Sequence, residues 1–181
     1  MKLLSIGGSN SKNSINRKFA KYASGFFEST ENNSINVSEI NLPIYSLDEE
    51  AANGIHPIAK SFAQSIDSCD LIIISLAENN GSYNVGFKNL VDWTSRIKER
   101  KTWGNKAMLL LSTAPGARGG LTVLEAAKNY YPRMGANIVG SFSLPKFQEN
   151  FSEANGIINE ELKKDFLHVI EKVKLALAST S

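Results

Sequence analysis

The apolar residues of this chain alternate between two rhythms. Short runs such as Leu3-Leu4-Ser5-Ile6, Leu71-Ile72-Ile73-Ile74 and Ala107-Met108-Leu109-Leu110-Leu111 have the length of strands, and the latter two have the continuity of strands buried on both faces. Between them, spacings of three and four, as in Ile15, Phe19, Tyr22, Ala23 and Phe26, mark one face of a helix. The pattern predicts strands over residues 2–7, 36–39, 71–76, 106–112 and 137–142. Helices are expected over 15–27, 56–68, 86–96, 122–134 and 159–177. Strand and helix in alternation is the signature of parallel βαβ units, with the two continuously apolar runs flanking the middle of the sheet. The stripe Leu162, Phe166, Val169, Ile170, Val173 and Leu177 reads as the core-facing side of a last helix.

Length and charge narrow this picture. A chain of 181 residues supports one domain with a substantial core, so 1–181 is read as a single unit. Twenty basic against 18 acidic residues, with no long basic block, leave no footprint for nucleic acid. One cysteine, Cys69, excludes an internal disulfide framework and fits a reducing compartment, so a cytoplasmic location is expected. Cys69 itself reads as a small core residue. The polar stretch 8–13 cuts the apolar opening far short of a signal peptide, and no segment has the length to span a bilayer. His56 and His168 each stand alone on an expected helix, so no metal site is expected. Trp93 and Trp103 flank a basic stretch, 96–101, that suits a solvated helix end.

Candidate chemistry begins at Gly7-Gly8-Ser9-Asn10-Ser11-Lys12-Asn13-Ser14-Ile15-Asn16-Arg17, between the first strand and the first helix. Gly7 and Gly8 lack a Cβ and would let backbone N–H groups approach a ligand, at the spot where a helix start aims its free donors and positive dipole end. The hydroxyls of Ser9, Ser11 and Ser14 and the amide of Asn16 suit a terminal phosphate with two negative charges, favouring a monophosphate ester over a pyrophosphate. The same residues also suit a capped, solvated turn. Neither G-x-G-x-x-G nor G-x-x-x-x-G-K-[ST] occurs here. A tyrosine-phosphatase loop is also absent, because Ser75 stands where Cys69 would need its arginine.

In a doubly wound sheet of order 2-1-3-4-5, a ligand sits at the switch between strands one and three, where the loops after strands one, three and four converge. The loop after the third strand, residues 77–84, offers backbone donors and acceptors around Asn79, Asn80 and Gly81 for the edge of a flat heterocycle, or makes an ordinary turn. The loop after the fourth, Ser112-Thr113-Ala114-Pro115-Gly116-Ala117-Arg118-Gly119-Gly120, has little side-chain bulk. Either something packs on its backbone or it is a flexible connection.

These three loops together resemble the NADPH-dependent FMN reductases of flavodoxin-like fold, which include flavin, quinone, azo-dye and chromate reductases. The motif G-S-x-R-x-x-S-x-N is matched by Gly8, Ser9, Ser14 and Asn16, with Ser11 where arginine often stands. P-E-Y-N-G-S followed by a K-N-x-x-D-W helix is matched by Glu78, Asn80, Gly81, Ser82, Lys88, Asn89, Asp92 and Trp93. S-x-x-P-G-x-x-G-G is met by Ser112, Pro115, Gly116, Gly119 and Gly120. The departures are Ser11, Ala77 for a proline, and Asn79 for the tyrosine that usually lies by the flavin.

The resemblance implies a flavodoxin-like three-layer sandwich, an α/β fold whose five-stranded parallel sheet has the order 2-1-3-4-5 and helices on both faces. It implies FMN held by Ser9, Ser11, Ser14, Ile15, Asn16, Glu78, Asn79, Asn80, Gly81, Ser82, Ser112, Pro115, Gly116, Gly119 and Gly120. NADPH or NADH would reduce the flavin, leave, and be replaced by a small-molecule electron acceptor such as free flavin or a quinone. No protein acid or base is expected, because hydride transfer relies on positioning and exclusion of water. A homodimer or homotetramer is expected, since Phe87, Leu90, Val91 and Trp93 give one helix more apolar surface than one side buries. The alternative is a flavin-binding or scaffold protein of this fold without reductase activity. A receiver domain is excluded, because Gly7-Gly8 and Leu76-Ala77 supply no acidic cluster at the strand ends.

Overall fold

The computed structural model describes residues 1–179. In chain order the elements are β1 (Lys2–Gly8), α1 (Ile15–Ser24), β2 (Glu31–Asn36), α2 (Leu47–Asn53), α3 (Pro57–Ser68), β3 (Leu71–Leu76), β4 (Glu78–Asn79), β5 (Ser82–Tyr83) and α4 (Val85–Ser95). They continue with β6 (Ala107–Thr113), α5 (Leu121–Tyr130), β7 (Asn137–Leu144), α6 (Phe147–Asn150), β8 (Phe151–Ser152), β9 (Gly156–Ile157) and α7 (Glu160–Ala178). One parallel sheet has the order β2-β1-β3-β6-β7, which is the expected 2-1-3-4-5. The hairpins β4–β5 and β8–β9 are separate two-stranded sheets.

Side chains of the central strands point alternately to the two faces, as the two-residue period of a strand requires. Leu4, Ile6, Ile72, Ile74, Met108 and Leu110 pack with Phe62 and Ile66 of α3, Leu90 of α4 and Leu124 of α5. Leu3, Leu71, Ile73, Leu109 and Leu111 pack on the other face with Phe19 of α1 and Phe166, Ile170 and Val173 of α7. The result is three layers, and the last helix uses its apolar stripe as core. Cys69 lies inside the first of these clusters, where burial pushes its thiol up to about 11. No helix of the described residues is long and apolar enough to cross a membrane.

The second strand differs from the expectation. It occupies Glu31–Asn36, while Val37–Glu39 forms a 3-10 turn capped by the Asn36 side chain, which accepts from Ser38 N. β2 is an edge strand whose residues 31–34 are all exposed, so it shows no apolar alternation, and buried Val37 marks the turn instead. The fourth expected helix ends at Tyr130 and passes into a 3-10 turn at Tyr131–Met134, because Pro132 cannot continue α-helical bonding. The first stops at Ser24, before Gly25. Helix α2 buries no residue and so has no periodicity, yet Ser46-Leu47-Asp48-Glu49 is a capping-box sequence, and the Ser46 hydroxyl accepts from Glu49 N at 3.1 Å.

Candidate cofactor-binding site

At the carboxyl end of the sheet, the loop after β1 is built from its own polar side chains. Ser9 N donates to Gly7 O at 2.7 Å, and Ser11 N donates to the Ser9 hydroxyl at 3.2 Å. Ser14 caps α1 by accepting from Arg17 N at 3.0 Å, and the Arg17 guanidinium turns back to Lys12 O at 2.8 Å. The N–H groups of Ile15 and Asn16 lie in the first helical turn, where no intrahelical acceptor exists. No acidic residue in that turn offsets the positive end of the helix dipole. These groups face a cleft of about 190 Å³ lined by Ser9, Ser11, Asn13, Ser14, Ile15 and Asn16, by Ala77 and Glu78, by Thr113, Ala114 and Pro115, and by Gln148 of α6. The cleft is smaller than the hollow between the ends of α4 and α5, about 310 Å³, but it lies at the switch point between β1 and β3, and that hollow does not.

Gly7, Gly8 and Asn16 differ in role from the expectation. Gly7 and Gly8 are buried and serve packing: a Cβ on Gly7 would stand 2.5 Å from the Arg17 backbone, and one on Gly8 would stand 3.3 Å from Ser75 O. Asn16 turns its side chain inward, accepting from the Ser75 hydroxyl at 2.7 Å and Thr113 N at 3.1 Å and donating to Thr113 O at 3.2 Å. It thereby bolts the start of α1 to the ends of β3 and β6. What the residue offers an anion is its backbone N–H.

The loop after β3 folds into a hairpin. Asn80 and Gly81 have φ of 51° and 75°, the left-handed pair of a type I′ turn, which an Asn-Gly dipeptide favours. Glu78 reaches across to α5, whose cap Gly120 has no side chain to give, and accepts from Val123 N at 3.0 Å. Asn79, Asn80, Gly81 and Ser82 are exposed, and of the residues expected here as cofactor contacts only Glu78 lines the cleft. The K-N-x-x-D-W residues do other work. Asn89 accepts from Tyr45 N at 2.9 Å and donates to Pro43 O at 3.0 Å, and the Trp93 indole donates to the same carbonyl at 2.8 Å. The pair fastens the segment before α2 onto α4. Phe87, Leu90, Val91 and Trp93, read as spare surface for a dimer, are all buried inside the chain.

The loop after β6 spends its polarity internally. Ser112 is buried and donates to Gly119 O at 2.8 Å, while Gly116 O accepts from Gly119 N and Lys146 N. Gly119 has φ +59°, and a Cβ there would lie 2.5 Å from the Ser143 hydroxyl and 2.8 Å from Pro145 N. Of the residues read here as cofactor contacts, Pro115 lines the cleft and Gly116 is exposed, whereas Ser112, Gly119 and Gly120 are buried and line no part of it. Thr113, Ala114 and Gln148 line the cleft without having been singled out. Gln148 carries no motif signal, because only the fold of the β7–α6 connection brings it there.

The sheet order and the cleft at the strand switch define a flavodoxin-like α/β protein. The model of the NADPH-dependent FMN reductase family matches residues 1–149, and the chain belongs to that family, whose members use FMN and NAD(P)H. It is 28% identical over 125 residues to a 2-hydroxy-1,4-benzoquinone reductase of a Burkholderia species, covering 68% of this chain and 67% of that protein. A quinone reductase of Escherichia coli strain K12 is 30% identical over 79 residues, 44% of this chain and 42% of its own. Among solved structures, FerB, a flavoenzyme NAD(P)H:(acceptor) oxidoreductase from Paracoccus denitrificans, shares the fold with a TM-score of 0.72 at 21% identity, covering 96% of this chain and 97% of that one.

Proposed function

We propose that this chain is an FMN-dependent NAD(P)H oxidoreductase that delivers electrons to a small quinone or to free flavin. The observation that carries the reading is the convergence of an uncompensated helix start with the Ser9, Ser11 and Ser14 hydroxyls in one cleft at the strand switch. These groups fit a phosphate monoester. The Ser9 and Ser14 oxygens already accept from backbone N–H groups, so their hydroxyl hydrogens are free to be given to an anion. With Ser11 in place of an arginine, the phosphate would be held by dipoles and hydroxyls more than by a full charge. The hairpin at Glu78–Tyr83 and the backbone of 113–116 would flank the ring. When bound, FMN supplies a two-electron carrier, so that NAD(P)H, a proton and a quinone become NAD(P)⁺ and a hydroquinone. Asn16 keeps the strand ends at a fixed separation, and that rigidity is what hydride transfer asks of the protein.

Self-association as a dimer or tetramer belongs to the same proposal. It rests on Val85 of α4, 70% exposed, and Leu121 of α5, 41% exposed, which light scattering would test. The free, buried Cys69 suits a reducing compartment such as the cytoplasm. The test of the function is a spectrum of the purified protein with FMN, taken anaerobically before and after NADPH or NADH. A flavin spectrum that bleaches is expected. A protein that takes up no flavin overturns the reading, and flavin that binds but does not bleach leaves the flavin-binding scaffold.

A further inference from the structure

The hollow between the ends of α4 and α5 shares no lining residue with the cleft, and its chemistry is different. Part of its wall is aromatic. The rings of Tyr83 and Tyr131 stack with centroids 5.9 Å apart and planes at 11°, and Tyr130, 56% exposed, adds a third ring. The charge of the lining is one-sided: Lys88, Arg100, Lys101 and Arg133 stand against Asp92 alone. Two of these cations are spent. Lys88 pairs with Asp92 at 2.6 Å, while Arg100 donates from Nη2 to Asp67 at 2.7 Å and from Nη1 to Thr102 O at 3.0 Å. The other two are free: the Lys101 ammonium and the Arg133 guanidinium bond no acid and no helix-terminal carbonyl among the described residues. The segments that carry them run side by side, since Trp103 N donates to Met134 O at 3.0 Å and a Cβ on Gly135 would stand 2.6 Å from the Lys101 Cβ and 2.9 Å from its Cδ. The Lys101 stem is thus already ordered, which lowers the entropy cost of holding its charge on a ligand. Arg100 Nε, an atom that can only donate, is buried without an acceptor. Burial raises the pKa of Tyr83 and of Tyr131, so at neutral pH neither phenol carries a charge that would repel an anion.

We propose that this hollow is a second ligand site, separate from the cleft, for a small planar aromatic carboxylate whose ring lies against the tyrosines and whose carboxylate is held by Lys101 and Arg133. Each half of that description has its own reason. A bare inorganic anion would use the two free cations but leave the tyrosines, Val91 and Met134 facing water. A neutral ring would cover those side chains and leave the cations without an acceptor. A volume of about 310 Å³ is at the lower end of ligand pockets and suits one or two fused rings. The site stands apart from the reductase reading, because none of its residues is shared with the cleft.

The probe is 2-naphthoate, titrated by calorimetry into the full chain with and without FMN. One molecule per chain is expected to bind under both conditions. Lys101→Met keeps a stem against Gly135 and removes the charge, and Arg133→Met removes the other; each is expected to weaken 2-naphthoate about three- to tenfold. Neither change should move Tm or FMN affinity, because neither cationic head is bonded within the fold. 2-Naphthamide, of the same shape without the charge, is expected to bind about tenfold more weakly than 2-naphthoate. Wild-type protein that takes up no 2-naphthoate overturns the site, as does binding that FMN displaces, which would put the molecule in the cleft. Equal affinity for the amide, or an affinity unmoved in both variants, overturns the role of the two cations. A double variant whose oligomeric state changes in light scattering would make Lys101 and Arg133 contacts between copies of the chain, and the ligand assignment would fall.

Discussion

The loops after β1 and β6 look alike as strings of small and polar residues, yet they spend their hydrogen-bonding capacity in opposite ways. In the first, Ser9 and Ser14 accept from their own backbone and keep their hydroxyl hydrogens for the cleft, beside unpaired N–H groups of α1. In the second, the Ser112 hydroxyl, the Gly119 carbonyl and the Gly116 carbonyl are tied to one another and to the start of α6. Glycine and serine therefore mark two different things. One is a place where donors are left over for a ligand. The other is a place where backbone is packed too closely for any side chain.

The largest effect expected from this difference is on cofactor affinity. Replacing Ser9 and Ser14 together by Ala removes two hydroxyl donors to a charged phosphate, each worth about 1.5 to 3 kcal/mol, and should weaken FMN on the order of a hundredfold or more in a fluorescence titration. Ser112→Ala should leave FMN affinity within about threefold while lowering stability. Equal losses of affinity from the two loops would erase the contrast.

Within the second loop, Gly119 and Gly116 sharpen it. A Cβ at Gly119 meets Ser143 and Pro145 in a left-handed backbone, so Gly119→Ala should cost about 1 to 3 kcal/mol, seen as a fall in Tm of roughly 2 to 10 °C. Gly116 has nothing within 4 Å of a built Cβ, and Gly116→Ala should stay within about 0.5 kcal/mol of wild type. Asn16 tests where the two loops are joined. Asn16→Ala strands the buried Thr113 N–H and Ser75 hydroxyl and should cost about 1 to 3 kcal/mol in urea unfolding, even in protein without flavin.

The smallest effect lies away from both loops and serves as their control. Glu50 accepts from Arg96 and from the Tyr45 hydroxyl, and these bonds hold its carboxyl below the ordinary range. A carboxylate depressed on folding contributes stability above its unfolded pKa and loses it as pH falls through the folded one. The Tm gap between wild type and Glu50→Gln should therefore be small at pH 7, shrink further on acidification and diminish with added salt, while FMN affinity at pH 7 stays unchanged.

How much of this was legible in the sequence depended on whether burial was local or remote. β1, β3 and β6 were readable because strands covered on both faces must be apolar throughout, and α7 because one side of it is core. β2 was misplaced by several residues because an edge strand with exposed Glu31, Asn32, Asn33 and Ser34 has no such constraint. The serines after β1 were readable as cleft residues because a helix start exposes donors wherever it occurs. The inward turn of Asn16, the packing role of Gly7 and the pinning of 43–45 by Asn89 and Trp93 were not, because each depends on a partner from another element.

The sequence by itself determined the alternation of strand and helix, the order in which a parallel sheet winds, and the family to which the loops belong, since period, turn chemistry and motif spacing act over short stretches of chain. Only the tertiary structure decided which polar groups remain free. A hydroxyl or an amide has the same letters whether it faces a ligand or a neighbour. Asn16 and Asn84 are spent on residues 97 and 74 positions away along the chain, so these roles exist only once the sheet has brought those residues within hydrogen-bond distance.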